Sequence, residues 1–181
     1  MATGIRMLHH VAYRCRDAEE TRHFYEDILG LPLTHVVKAD NVPSTGEYSP
    51  YVHIFFQLDD GEFIAFFDIG GDKSTAPDPQ TPAWVNHIAF QVADESELER
   101  WKKKLEANGI EVVGVTDHHF VHSIYFFDPN GVRLELTNAQ ADKSDYLKQK
   151  LQSAHRELAE WTADKAAGLK PLERKAASLA T

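Results

Sequence analysis

The stretch HVAYRCRD, residues 10–17, decides the fold because it returns 77 residues later as HIAFQVAD, residues 87–94. Both copies keep the histidine, the alanine and the final aspartate, and both show the alternating pattern of a strand. Asp17 and Asp94 each precede a helical pattern as N-cap residues, and a glycine closes each helix. The repeat therefore predicts two similar modules, each opening with a strand and a helix.

Three strand-like runs follow each predicted helix. They are THVVKA, YVHIFFQL and EFIAFFDI in the first half, and EVVGVT, HSIYFF and VRLELT in the second. Each half therefore reads β-α-β-β-β, and we predict an α+β domain over residues 1–143 with modules at 7–69 and 84–138. Residues 70–83 are rich in glycine and proline and are predicted to link the two modules.

A helical extension is predicted over residues 144–181. Its apolar positions recur at spacings of three and four and form one stripe: Leu147, Leu151, Ala154, Leu158 and Trp161. We expect this stripe to pack either on the paired modules or on a partner subunit.

Composition narrows the class of ligand. The net charge of −9 and the pI near 5.5 argue against a nucleic acid or an anionic membrane surface as the partner. Cys15 is the only cysteine, so the sequence offers neither a disulfide nor a thiolate metal site. No apolar run reaches the roughly 20 residues that a membrane span needs. These features favour a soluble cytoplasmic protein that binds a small neutral or metal-chelating ligand.

Strand alternation places His10 and His87, which open the two modules, on the side of each sheet that does not face the helix. His10 shares its side of the first strand with Ala12 and Arg14, and His87 occupies the matching place in the second module. Glu135 lies on the corresponding polar side of the closing strand. These sides, curled toward each other, are predicted to line a cavity, whether the modules pair within one chain or between two chains.

Three polar side chains at matched positions favour a metal site. Two imidazoles and one carboxylate on one face match the ligand set of non-haem Fe(II) oxygenases and leave positions open for an anionic bidentate oxygen ligand. His9, next to His10, falls on the helix-facing side and is interpreted as structural. Ala65 stands where the repeat would place a second glutamate, and with Phe63 and Phe67 it forms an apolar patch suited to a flat hydrophobic substrate.

The module order, the two opening histidines and the late glutamate resemble the vicinal oxygen chelate superfamily, which contains glyoxalases, bleomycin-resistance proteins, epimerases and extradiol ring-cleaving dioxygenases. The resemblance covers residues 7–138 and implies curled mixed sheets that enclose a metal cavity. Residues 116–135, TDHHFVHSIYFFDPNGVRLE, are more specific. Thr116, His118, the Ile-Tyr pair, the Asp-Pro-x-Gly turn and Glu135 are similar in spacing to the extradiol dioxygenase signature.

The resemblance implies roles for five residues. His10, His87 and Glu135 would bind Fe(II). His118 would lie near the substrate and dioxygen, and Tyr125 would hydrogen-bond the metal-bound substrate oxygen. From sequence physics alone, an ordinary surface-loop histidine is an equally good interpretation of His118.

One departure from the family pattern concerns proton transfer. Multi-domain extradiol dioxygenases usually carry a further acid/base histidine shortly before the second metal histidine, but no histidine lies between His53 and His87. Either His118 serves alone or the reaction is not ring cleavage. His53 matches His122 when HIFFQLD is aligned with HSIYFFD, which favours a structural role for both.

We therefore expect an Fe(II)-dependent extradiol dioxygenase that cleaves a catechol-type ring with O2. We expect it to form a homodimer, with the 144 to 168 helix as a contact between the subunits. The first alternative is a metal-dependent glyoxalase-like lyase, isomerase or epimerase that acts through an enediolate, with Mn, Zn, Ni or Co in place of iron. The second alternative is a non-enzymatic small-molecule binding protein, which predicts no tightly bound metal.

Overall fold

The computed structural model describes residue 4 and residues 7–71, 81–117, 121–138 and 144–168, with side chains from residue 151 onward in the last range. Contacts divide the chain into two units, residues 1–139 and 140–181. The first unit holds both predicted modules, and the second holds the C-terminal helix.

The first module is a four-stranded mixed sheet with a helical segment after its first strand. Its elements are β1 His10–Arg14, α1 Ala18–Arg22, β2 Leu33–Asn41, β3 Tyr48–Gln57 and β4 Phe63–Asp68, and the strand order is β1-β4-β3-β2. The Asp17 side chain caps α1 by accepting hydrogen bonds from the backbone N–H groups of Glu19 and Glu20. The helix then continues as a wider π-helical turn over His23–Ile28.

The second module repeats this plan. Its elements are β5 His87–Val92, α2 Glu95–Ala107, β6 Val113–Asp117, β7 His122–Phe127 and β8 Arg133–Asn138, in the strand order β5-β8-β7-β6. Asp94 caps α2 through the backbone N–H of Glu97. Each half is therefore β-α-β-β-β, and the predicted α+β fold is confirmed.

The strand register shows how closely the two sheets correspond. β1 runs parallel to β4 with Ala12 opposite Ala65, and β5 runs parallel to β8 with Ala89 opposite Glu135. The two ladders therefore match position by position, and Ala65 is the structural counterpart of Glu135, as the repeat predicts.

The two modules share one hydrophobic core on the helix-bearing sides of their sheets. Tyr25 is fully buried and stacks on Phe56 at 5.2 Å between ring centroids, while Phe24 faces Phe126 of the other module at 6.4 Å. Because the helix-bearing sides fill the core, the opposite faces stay open. His10 and His87 are accordingly exposed.

The turn between β7 and β8 holds the two modules together. The Asp128 carboxylate accepts hydrogen bonds from the Tyr25 hydroxyl at 3.0 Å and from the backbone N–H groups of Asn130 and Val132 at 2.8 and 2.7 Å. The backbone N–H of Arg16 donates to Asn130 Oδ1 at 3.0 Å. Burial raises the pKa of Asp128, and these hydrogen bonds oppose the rise. The turn thus anchors the first module's helix as well as setting the strand register.

The second unit contains α3, Ser144–Ala166. Along the predicted apolar stripe, Leu151 is 78% exposed, Leu158 63% and Trp161 44%. No helix in the described part of the chain is long and apolar enough to cross a membrane.

Candidate metal centre

His87 and Glu135 meet on the open face of the second sheet. His87 begins β5 and Glu135 lies in the middle of β8, the strand that pairs with β5. Their side chains place His87 Nε2 3.1 Å from Glu135 Oε2. Two of the three predicted metal ligands are therefore adjacent.

Neighbouring groups orient both side chains. His87 Nδ1 lies 3.1 Å from the Val85 carbonyl oxygen, which only accepts, so Nδ1 donates to it and Nε2 is the nitrogen that faces Glu135. The Ser123 hydroxyl donates to Glu135 Oε1 at 2.5 Å, which leaves Oε2 directed at the histidine. Such outer hydrogen bonds are what fix ligand orientation at protein metal sites.

The donor spacing fits a divalent cation. Two ligand atoms at right angles, each about 2.1 Å from a metal ion, stand about 3 Å apart, and the observed separation of Nε2 and Oε2 is 3.1 Å. Cys15 offers no competing thiolate, because burial raises its pKa to about 11. The residues present therefore suit a metal bound by nitrogen and oxygen.

Tyr125 and Arg133 border the His87 and Glu135 pair. Tyr125 lies opposite Glu135 in the β7–β8 ladder, and its ring centroid is 6.3 Å from that of His87. Burial raises the pKa of Tyr125 and the Glu135 carboxylate raises it further, so the phenol stays protonated at neutral pH. Arg133 lies over the Tyr125 ring at 4.1 Å and donates to the Trp84 carbonyl oxygen at 2.8 Å.

His10 lies on the other sheet. Its Nδ1 is 2.8 Å from His9 Nδ1, so one of the two rings donates to the other, and His10 Nε2 has no hydrogen-bond partner among the described residues. Within the described ranges, no three His, Cys, Asp or Glu side chains come close enough together to hold a metal ion. A single chain therefore assembles His87 with Glu135 but not with His10.

The prediction that His9 faces the helix side is wrong. β1 begins only at His10, so strand alternation does not extend back to His9. His9 is exposed, and its ring contacts His10 at 5.0 Å and Phe63 at 5.8 Å between centroids. It belongs to the rim of the open face.

The alignment of His53 with His122 is also wrong. In the ladders His53 lies opposite Phe67, whereas Ser123 lies opposite Thr137, so Ser123 is the true counterpart of His53. The sequence alignment of HIFFQLD with HSIYFFD differs from the strand pairing by one residue. A shift of one residue moves a side chain to the opposite face of a sheet. His53 consequently lies on the open, site-bearing face.

His122 lies elsewhere, and its Nδ1 donates to Glu95 Oε2 at 2.6 Å. This hydrogen bond raises the pKa of His122. His118 and His119 lie outside the described residues, so the catalytic role predicted for His118 stays a prediction.

Paired β-α-β-β-β modules with a histidine and a glutamate joined on an open sheet face define a protein of the vicinal oxygen chelate class. The chain belongs to the Glyoxalase/Bleomycin resistance protein/Dioxygenase superfamily, whose sequence model matches residues 7–136. The predicted resemblance is thereby confirmed. Enzymes of this superfamily use divalent metals on small-molecule substrates, and its members are commonly homodimers.

Individual relatives differ in activity. Metallothiol transferase FosB of Staphylococcus saprophyticus is 28% identical over 166 residues, which cover 87% of this chain and 92% of that protein. MhqA of Bacillus subtilis, provisionally assigned as a ring-cleaving dioxygenase, is 29% identical over 122 residues, 66% of this chain and 35% of that protein. A glyoxalase/dioxygenase structure from Nostoc punctiforme is 26% identical, with a TM-score of 0.55 over 77% of this chain and 96% of that one.

Proposed function

We propose that this protein is an Fe(II)-dependent extradiol dioxygenase that cleaves a small catechol-type ring. The observation that carries the proposal is the His87 and Glu135 pair, set at metal-ligand spacing with the Tyr125 phenol beside it. The similarity to MhqA and the signature over residues 116–135 support ring cleavage. The chain spans only about a third of MhqA's length, so the activity is proposed for this domain on its own residues.

The ligands that would hold the metal are His10, His87 and Glu135. Fe(II) held by these residues would supply a Lewis acid and a redox-active centre. The carboxylate offsets one of the two metal charges, so an anionic chelating substrate is attracted to the charge that remains.

We further propose that the site is completed between two copies of the chain. His10 is exposed on the first sheet, and the described ranges hold no group of three possible ligands around it. In the part of the chain that the structure describes, the His87 and Glu135 pair on the second sheet likewise has no third ligand beside it. Two-fold symmetry would bring His10 of one protomer to His87 and Glu135 of its partner, and would form two equal sites.

Residues around the ligands would bind and orient the substrate. The protonated Tyr125 phenol would donate a hydrogen bond to a substrate oxygen. Arg133 is held over Tyr125 and adds a positive charge on the same side as the carboxylate. The aromatic face of the first module, with Phe55, Phe63 and Phe67, would cover the substrate ring and exclude water.

Anaerobic reconstitution with Fe(II) followed by a panel of catechols in air tests the proposal. We expect one O2 consumed per ring opened and a yellow ring-opened product. The same loading with Zn²⁺ is the matched control and is expected to be inactive, because zinc has no redox chemistry. Full iron occupancy with no oxygen uptake on any catechol would contradict ring cleavage.

A second candidate is metal-dependent transfer of a thiol to a small electrophile. It is favoured by the FosB similarity, which covers nearly the whole of both chains. Protein loaded with Mn²⁺ or Zn²⁺, mixed with a low-molecular-weight thiol and a small epoxide, would then consume the thiol without taking up oxygen. An isomerase or lyase of the glyoxalase kind would likewise work without oxygen, but would convert an added hemithioacetal.

A further inference from the structure

We propose that His53 is a substrate-binding residue, whose imidazole hydrogen-bonds a polar group of a planar aromatic ligand lying on the open face of the first module. The inference deepens the proposed function, on which it rests for the aromatic substrate class. It assigns a binding role to a histidine that the sequence pattern marked as structural.

The first observation is a buried nitrogen with no partner. His53 is only 9% exposed, and its Nε2 is buried without a hydrogen-bond partner among the described residues. Buried polar atoms in proteins are nearly always hydrogen-bonded, because the water they lose must be replaced. An unpaired imidazole nitrogen next to a candidate site is therefore a group that a ligand would satisfy.

The second observation is the aromatic setting of the ring. His53 stacks on Phe67 at 3.6 Å between centroids, with 19° between the ring planes, and contacts Phe55 at 4.1 Å. Tyr51 extends this row beyond Phe67 at 5.3 Å. The phenyl neighbours Phe55 and Phe67 fix the imidazole plane but provide no donor or acceptor to His53 Nε2.

The third observation is that His53 lies close to a proposed metal ligand. The His53 ring centroid is 6.2 Å from that of His10, the proposed metal ligand of the same sheet. The corresponding place in the second module is occupied by Ser123, which hydrogen-bonds Glu135. Both counterparts thus lie beside a proposed ligand, and the Ser123 hydroxyl is used within the protein, whereas His53 Nε2 has no partner among the described residues.

The test is binding of 4-nitrocatechol, a coloured catechol, to the full-length protein loaded with Zn²⁺, which needs no turnover. His53→Phe preserves the aromatic row and removes the nitrogens. We expect it to keep the metal content and the thermal midpoint of the wild type and to bind 4-nitrocatechol about tenfold more weakly, the usual value of one hydrogen bond. His53→Gln, which returns a donor and an acceptor, should recover part of the affinity.

His35→Phe is the matched control, because His35 also contacts Phe55, at 5.2 Å, but is exposed. It should leave 4-nitrocatechol binding unchanged. Equal affinity in wild type and His53→Phe would overturn the proposal, as would failure of the loaded wild type to bind the probe. If His53→Phe weakens binding and no catechol is cleaved by the iron-loaded wild type, the binding role of His53 stands and ring cleavage fails.

Discussion

Where β8 of the second module carries Glu135, the matching place on β4 of the first carries Ala65, and where β7 carries Tyr125, β3 carries Phe55. The backbone register is the same, but one open face is polar and the other aromatic. The difference fits separate roles in the proposed site. The second sheet carries His87 and Glu135, two of the three proposed metal ligands, and the first sheet presents a hydrophobic wall beside the third, His10.

The largest effect is expected from removing the carboxylate that distinguishes the second face. Glu135→Ala deletes one of two adjacent ligand groups, and we expect metal affinity to fall by about 100-fold or more, with loss of activity. Metal analysis after dialysis against a weak chelator measures this. Glu111→Ala, an exposed glutamate on the same module, is the control. Stoichiometric metal in Glu135→Ala would show that Glu135 is not a ligand.

Placing a carboxylate at the matching position of the first face should break that module. Ala65 is fully buried, so Ala65→Glu buries a charge without an arranged partner and should lower the free energy of unfolding by about 3 kcal/mol or more. Urea unfolding measures the loss. Ala12→Glu, at the exposed ladder partner of Ala65, should cost far less. Equal stability of the two variants would refute the claim that a carboxylate at position 65 is buried without a partner.

The hairpin turns before the last strands provide a third comparison. Asp128→Ala leaves the Tyr25 hydroxyl and two backbone N–H groups without their acceptor, and should lower the free energy of unfolding by about 2–4 kcal/mol. Asp59 lies in the corresponding turn of the first module and is exposed. Asp59→Ala should therefore change the free energy of unfolding by about 0.5 kcal/mol or less. Urea unfolding compares the two variants through their transition midpoints, provided that their denaturant slopes are equal. A small effect of Asp128→Ala would mean that the turn does not lock the modules.

The smallest expected effect is on the pKa of a histidine. The sequence alignment pairs His53 with His122, but the surroundings of the two side chains differ. The hydrogen bond that His122 donates to Glu95 raises the pKa of His122, whereas burial, with His10 and His35 nearby, lowers the pKa of His53 to about 4. The stability that His122 gains from its partner is complete below its ordinary pKa and is lost as pH rises through the raised value.

Glu95→Gln should move the His122 pKa back toward its ordinary value, as read from the imidazole protons by NMR in metal-free protein. Glu97→Gln is the control on the same helical turn, since the Glu97 carboxylate accepts from the Ala93 backbone N–H instead. An unchanged His122 titration in Glu95→Gln would contradict the pairing.

The repeat predicted much of this molecule because its signals are local. A capping aspartate, a closing glycine and strand alternation act within a few residues, and they located the helices and strands that the structure describes in both modules. The same alternation placed Glu135 correctly beside His87, because both lie inside regular strands.

Sequence analysis failed where a residue's position depends on contacts that are distant in the chain or on the exact strand register. His9 precedes the first residue of β1, so alternation did not apply to it. Sequence identity alone aligns His53 with His122, whereas the strand register aligns it with Ser123. This one-residue difference places the His53 side chain on the opposite face of the sheet. The contact between Tyr25 and Asp128 joins residues 103 apart, and no local pattern marks it. Whether His10 joins His87 within or between chains likewise depends on packing rather than on pattern.

In the proposed shared site, each metal centre takes His10 from one protomer and His87 with Glu135 from the other. The direct test is a heterodimer of a His10→Ala chain and a Glu135→Ala chain, isolated through two different affinity tags. Both parent homodimers should be inactive and depleted of metal, because each site lacks a ligand. The heterodimer should contain one fully intact site and recover about half of the wild-type metal content and activity. A heterodimer as inactive and metal-poor as its parents would contradict the shared site.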